Sequence, residues 1–126
     1  MVLDMLCVKS TLCSPEIRFA PAEQVLSIRG ESYPENSFAF YQPVFEAVEA
    51  YLRDSDAPLT LDLAVSYLNT SSIKCVIDLL ERLDQAHRAG RKVVVEWHYD
   101  AENERAHEMA EEFMEDVSFP FRLVAA

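Results

Sequence analysis

Two glycines, three cysteines and no long apolar run set the first limits on this 126-residue chain. With so little glycine and half its residues hydrophobic, it is neither a fibre nor a disordered tail; the composition describes a compact globular domain. The length suits one domain with a real core and is short for two. Cys7, Cys13 and Cys75 are odd in number and form no CxxC pair. That argues against a disulfide framework and fits a reducing cytoplasm. Cys75 falls within an apolar helical pattern and reads as a core residue. No apolar run reaches the roughly 18 residues that a membrane helix needs. The opening "MVLDMLCVKS" has no basic leader and is interrupted by Asp4, so a signal peptide is not expected. Basic residues are scarce as well: 11 Lys and Arg against 22 Asp and Glu leave a net charge of −11. Such a surface repels phosphate backbones and anionic lipid, which predicts no nucleic-acid partner and no direct membrane binding.

What is present alternates between two periods. "EIRFA" (16–20) and "VLSIRG" (25–30) read as strands, linked by Pro21 to Gln24 as a hairpin and ending at Gly30. In the next stretch Phe38, Tyr41, Phe45, Val48 and Leu52 recur at helical spacing. Pro43 lacks the amide hydrogen of a helix interior, so a short turn over 36–41 is expected, with the main helix running from Pro43 to about Arg53. "PLTLDLAVSYL" (58–68) reads as a strand with Leu59, Leu61, Leu63, Val65 and Tyr67 on one face. Ile73, Val76, Ile77, Leu80, Leu83 and Ala86 or His87 then mark a helix that stops at Gly90. "KVVVEWHY" (92–99) suits a buried parallel strand. Asp100 reads as the cap of a third helix over 101–116, and "FPFRLVA" (119–125) as a last edge strand. The order β-β-α-β-α-β-α-β predicts one α/β domain with a mixed, mostly parallel sheet, an N-terminal hairpin and about three helices. Ligands and partners gather where such strands end, which points to the loops "NTSS" and "HYDAEN".

In "NTSS", Asn69, Thr70, Ser71 and Ser72 stand at a helix start. One of them suffices to cap the helix. The others lie at the positive end of the helix dipole, where an anion is stabilised. The loop has no glycine to wrap a free phosphate and no GK[ST] lysine, whereas a phosphate attached to Thr70 or Ser71 needs only an accessible hydroxyl. In the second loop, His98 and Asp100, with His87 and His107 elsewhere, form no HxxxH or HExxH spacing. His98 and Asp100 are expected on opposite faces, and Trp97 in the core or an interface. "EEFMED" (111–116) reads as a solvated helix face, with Phe113 and Met114 available for packing. No catalytic, metal or cofactor residue is assigned.

"SYPENSFAFYQPVFEAVEAYL", "YLNTSSIKCVIDLLERL", "VVVEWHYDAENE" and "FPF" together resemble the SiaC family of bacterial regulatory phosphoproteins. The likeness runs from about Ser14 to the C-terminus, which divides the chain into an N-terminal extension (1–13) and a SiaC-like domain (14–126). Its most specific pieces are S-Y-P-E-N at 32–36, N-T-S-S at 69–72 and W-H-Y-D at 97–100. The resemblance implies a STAS-like fold, as in anti-sigma-factor antagonists. It also implies phosphorylation of Thr70, with Asn69, Ser71, Ser72 and Lys74 around it. The partners it implies are a protein kinase of the partner-switching type, a metal-dependent protein phosphatase and a diguanylate cyclase. The unphosphorylated form would bind and activate the cyclase, raising cyclic di-GMP and favouring biofilm. The docking surface would join the Thr70 loop to Tyr33, Pro34, Glu35 and Asn36 and to His98, Tyr99 and Asp100. The rival reading is a small ligand-binding domain or enzyme that uses a strand-end pocket near Thr70 and His98.

Overall fold

The computed structural model describes residues 6–8 and 11–125. Strand β1 (Leu6–Val8) pairs antiparallel with β2 (Glu16–Ala20), which pairs antiparallel with β3 (Val25–Ser32). The link between β2 and β3 is a single 3-10 turn, Pro21–Glu23, closed by Gln24 in the left-handed region. From β3 onward the sheet is parallel. Helix α1 (Ser37–Asp54) leads to β4 (Leu59–Leu68), α2 (Thr70–Arg88) to β5 (Val93–Tyr99), and α3 (Glu104–Glu115) to β6 (Phe121–Ala125). The six strands lie in chain order across one sheet.

That order decides where the helices sit. Each parallel crossover steps the same way along the sheet, and right-handed crossovers in one direction place every helix on one face. Ile17, Ile28, Leu63 and Trp97 form one row across that covered face. Trp97 stacks on Phe113 of α3 at 5.5 Å, and Phe19 meets Tyr51 of α1 edge-on at 5.4 Å. The core is therefore a single cluster between the sheet and three helices. Burying each such side chain contributes about 1.5–3 kcal/mol. The opposite face carries a polar row, Ser27, Asp62, Glu96 and Arg122, in register across four strands.

Four local expectations are corrected. Helix α1 does not begin at Pro43 but at Ser37, and Pro43 lies inside it. The side chain of Asn36 accepts the Ala39 amide at 3.1 Å, so the start is capped six residues before the proline is reached. Pro43 and Ala39 are exposed, so water can take the Ala39 carbonyl that the missing N–H leaves free. The buried stripe of α1 is Tyr41, Val44, Phe45, Val48 and Tyr51, while Phe38 stays 54% exposed. Strand β3 continues past Gly30, where the register to β4 shifts by one. Gly30 has φ +119°, a conformation that side chains disfavour, and so accommodates the irregularity. Ser66 is the extra residue on β4, which turns Tyr67 out to solvent and brings Leu68 into the core. Finally, α3 starts at Glu104, capped by Asn103 through the Ala106 amide at 3.1 Å. Asp100 instead accepts the Glu102 amide in a local turn.

Candidate functional site

Two helix starts and two strand ends meet at one place. Ser32 and Leu68 are paired at the ends of β3 and β4, and the Asn69 amide donates to the Ser32 carbonyl at 2.9 Å. Asn36 caps α1 four residues past the first strand end, and Asn69 caps α2 directly after the second, accepting the Ser72 amide at 2.9 Å. The N-terminal ends of both helices thus converge, and with them the positive ends of their dipoles.

The hydroxyls at this junction divide into two kinds. Ser32, Ser37 and Ser72 are fully buried and joined in a chain. Tyr41 Oη lies 2.7 Å from Ser32 Oγ, which lies 2.8 Å from Ser72 Oγ. Ser37 Oγ is 3.1 Å from Ser72 Oγ and 2.7 Å from Ser71 Oγ. Ser71 in turn donates toward Asn69 Oδ1 at 3.4 Å. Burial pushes the Tyr41 phenol up to about 12, against a smaller lowering by its bond to Ser32. It therefore stays protonated at any physiological pH. Thr70, the first residue of α2, is exposed, and among the described residues its hydroxyl has no hydrogen-bond partner. Lys74, one turn on, is exposed as well.

Around Thr70 the surface is aromatic. Tyr33 and Tyr67 meet edge-on at 5.8 Å and are 40% and 52% exposed. Pro34, two residues before the Asn36 cap, is buried, and Glu35 is exposed. The aromatic pair exists because of the bulge at Ser66, which puts Tyr67 on the Tyr33 side.

The second loop forms a separate feature. A cavity of about 470 Å³ opens at the ends of β4 and β5, with Arg29, Ser66, His98, Tyr99, Asp100 and Asn103 on its walls. The expectation that His98 and Asp100 face apart is corrected, since both line this cavity; positions two apart along a strand share a side. His98 Nε2 lies 3.0 Å from Asp62 Oδ1, and Arg29 donates to Asp62 Oδ2 at 2.8 Å. Tyr99 tilts against His107 at 4.9 Å. Thr70 is not on the cavity wall, so the strand-end pocket and the helix-start hydroxyls are two neighbouring sites rather than one. Among the described residues, no three His, Cys, Asp or Glu side chains gather as metal ligands would. No helix among them is long and apolar enough to cross a membrane.

Sequence reasoning reached Asn69 to Ser72 but missed Ser32, Ser37 and Tyr41. The only signal for them was a serine on either side of "YPEN", which carries no periodicity.

Comparison with known proteins bears on this arrangement. The family model for SiaC family regulatory phosphoproteins matches residues 8–126. An uncharacterized protein of Pseudomonas aeruginosa strain UCBPP-PA14 is 54% identical over 100 residues, 79% of each chain. The structure of SiaC of Pseudomonas aeruginosa superposes with a TM-score of 0.93 at 46% identity, covering 98% of this chain and 99% of that one. A further structure holds the diguanylate cyclase SiaD of that organism in complex with its activator SiaC. The match to it has a TM-score of 0.94 at 48% identity, over 96% of this chain and 99% of the other.

Proposed function

The chain belongs to the SiaC family of regulatory phosphoproteins, and from that premise we propose that it is a phosphorylation-controlled activator of a diguanylate cyclase, with Thr70 as the phosphoacceptor. The carrying observation is the division of the hydroxyls: Ser71 and Ser72 are engaged in hydrogen bonds, and Thr70 is exposed and, among the described residues, without a hydrogen-bond partner. A phosphate there adds about −1.5 to −2 charges at neutral pH. The converging helix starts stabilise that charge in the free protein, so the fold has no reason to change. The likeness to SiaC in its complex with the cyclase SiaD supports a cyclase as the effector.

In this reading the unphosphorylated form docks on the cyclase through the Thr70 loop, with the "YPEN" turn and the start of "HYDAEN" flanking it. Binding raises cyclic di-GMP and favours biofilm. A kinase of the partner-switching type adds the phosphate, and a metal-dependent phosphatase removes it. The chain itself catalyses nothing, acts in the cytoplasm and has a fold of the STAS type. Lys74 is placed to answer the phosphate one helical turn away. Its effect is screened by solvent, which leaves most of the local stabilisation to the backbone amides.

Tandem mass spectrometry of the protein isolated from its native host, with and without phosphatase treatment, tests the site assignment. The expected result is one phosphate on Thr70, removed by the treatment. A dominant phosphate on Ser71 or Ser72, or outside residues 69–72, would overturn it.

A further inference from the structure

We infer that Ser37, distant in sequence, is the positioning residue that selects Thr70 as acceptor, by holding Ser71 out of the reaction as a latent second site. This rests on the reading that Thr70 is phosphorylated. The two acceptors are neighbours at the start of one helix, about 1.5 Å apart in rise, so reach alone discriminates weakly between them. What separates them is how their hydroxyls are used.

The direction of the buried chain follows from its two ends. Tyr41 is buried with Ser32 as its hydrogen-bond partner, so its O–H is satisfied by donating to Ser32. Ser32 must then give its own proton to Ser72, and Ser72 gives its proton to Ser37. At the far end Asn69 Oδ1 can only accept. Ser37 Oγ lies 3.5 Å from Asn69 Oδ1 and 2.7 Å from Ser71 Oγ, so its proton goes to the nearer Ser71, and Ser71 donates to Asn69 at 3.4 Å. Each hydroxyl in the series donates once and accepts once, a cooperative arrangement in a low-dielectric setting.

Phosphoryl transfer from a nucleoside triphosphate forms a bond from the acceptor oxygen to the γ-phosphorus. The bond from that phosphorus to the β–γ bridging oxygen breaks, the diphosphate leaves with the electron pair, and the acceptor's proton passes to a base of the kinase. The acceptor must turn a lone pair to the phosphorus and release its proton. Thr70 is free to do both. In Ser71 the lone pair faces Ser37 and the proton faces Asn69. Ser72 has the same handicap and is fully buried.

Four variants expressed in the native host, each mapped by tandem mass spectrometry, test the inference. Thr70→Ala alone should carry little phosphate in residues 69–72. Adding Ser37→Ala should raise phosphate on Ser71 by at least about tenfold, the loss of about 1.4 kcal/mol of protection. Adding Ser32→Ala to Thr70→Ala instead breaks the chain upstream and leaves the Ser37–Ser71 bond, so Ser71 should stay unmodified. Ser37→Cys keeps the volume with a weak donor and should act in the same direction as Ser37→Ala, which covers the case of a misfolded alanine variant. No gain at Ser71 in a folded Ser37 variant, or an equal gain in the Ser32 variant, would overturn the selection by Ser37. Wild-type protein phosphorylated elsewhere than Thr70 would overturn the underlying reading, and this inference with it.

Discussion

The hydroxyls of Ser37 and Ser71 lie 2.7 Å apart, tying the first turn of α1 to the first turn of α2. Helices α1 and α2 are also joined along their length by Arg82, which forms an ion pair with Glu49 and stacks over the Phe45 ring at 4.8 Å. The two helices behave as one support beneath the Thr70 loop. A charge placed on Thr70 therefore meets a platform that is already set, and on the proposed reading it acts on docking rather than on refolding.

The cap at Asn69 is the first thing to test in that platform. Asn69→Ala removes the acceptor of the Ser72 amide and of the Ser71 hydroxyl together. Loss of a cap costs about 0.5–2 kcal/mol, and the upper half of that range is expected here. Urea unfolding of both proteins checks it, with the slope unchanged and the midpoint lowered.

Tyr41→Phe removes the head of the hydroxyl chain without changing its shape. Ser32 then loses its donor in a fully buried position. The expected destabilisation is about 1–3 kcal/mol, and the same denaturant measurement reads it. A change below a few tenths of a kcal/mol would mean that the chain contributes no net stability.

Asp84 makes the fold sensitive to acid. Its carboxylate accepts the Ser118 hydroxyl at 2.6 Å and the Ser118 amide at 2.8 Å, and Arg88 approaches its other oxygen at 2.9 Å. The bonds from Ser118 hold its pKa below the usual value, against burial, with Arg88 and His87 assisting. A depressed carboxylate pKa contributes stability that is fully present above the unfolded value of about 3.9 and is lost as pH falls through the folded one. Thermal melts should therefore show a fall in stability on acidification below about pH 4. Asp84→Asn should melt lower at neutral pH and show a shallower acid dependence.

Much of the architecture was legible in the sequence because burial on one face writes itself as alternation. Leu59, Leu61, Leu63 and Val65 announced β4, and Val93 and Val95 announced β5, since those side chains turn to the covered face while Val94 between them turns to the other. Tyr67 was misplaced because a bulge changes phase in the middle of a strand, and only Gly30 on the partner strand hints at it. The start of α1 lies earlier than expected because Asn36 caps it and an exposed Pro43 is tolerated inside it. For α3, Asn103 caps the helix three residues beyond Asp100, which closes a local turn instead. At the site, Asn69 to Ser72 were legible as a capped helix start. The partners that sort its hydroxyls were not, because Ser37 and Ser71 are 34 residues apart and only the fold brings them together.

The central claim is that a phosphate on Thr70 switches off effector binding, and one titration tests it most directly. Unmodified protein and protein phosphorylated on Thr70 are each titrated into a diguanylate cyclase of the native host, and conversion of GTP to cyclic di-GMP is followed. An unpaired charge buried in an interface costs about 2–5 kcal/mol, and about 2.7 kcal/mol is already a hundredfold in affinity. Unmodified protein should activate the cyclase in a saturable way, and the phosphorylated form should need at least about a hundredfold more protein while melting at a similar temperature. Equal activation by the two forms would contradict the account.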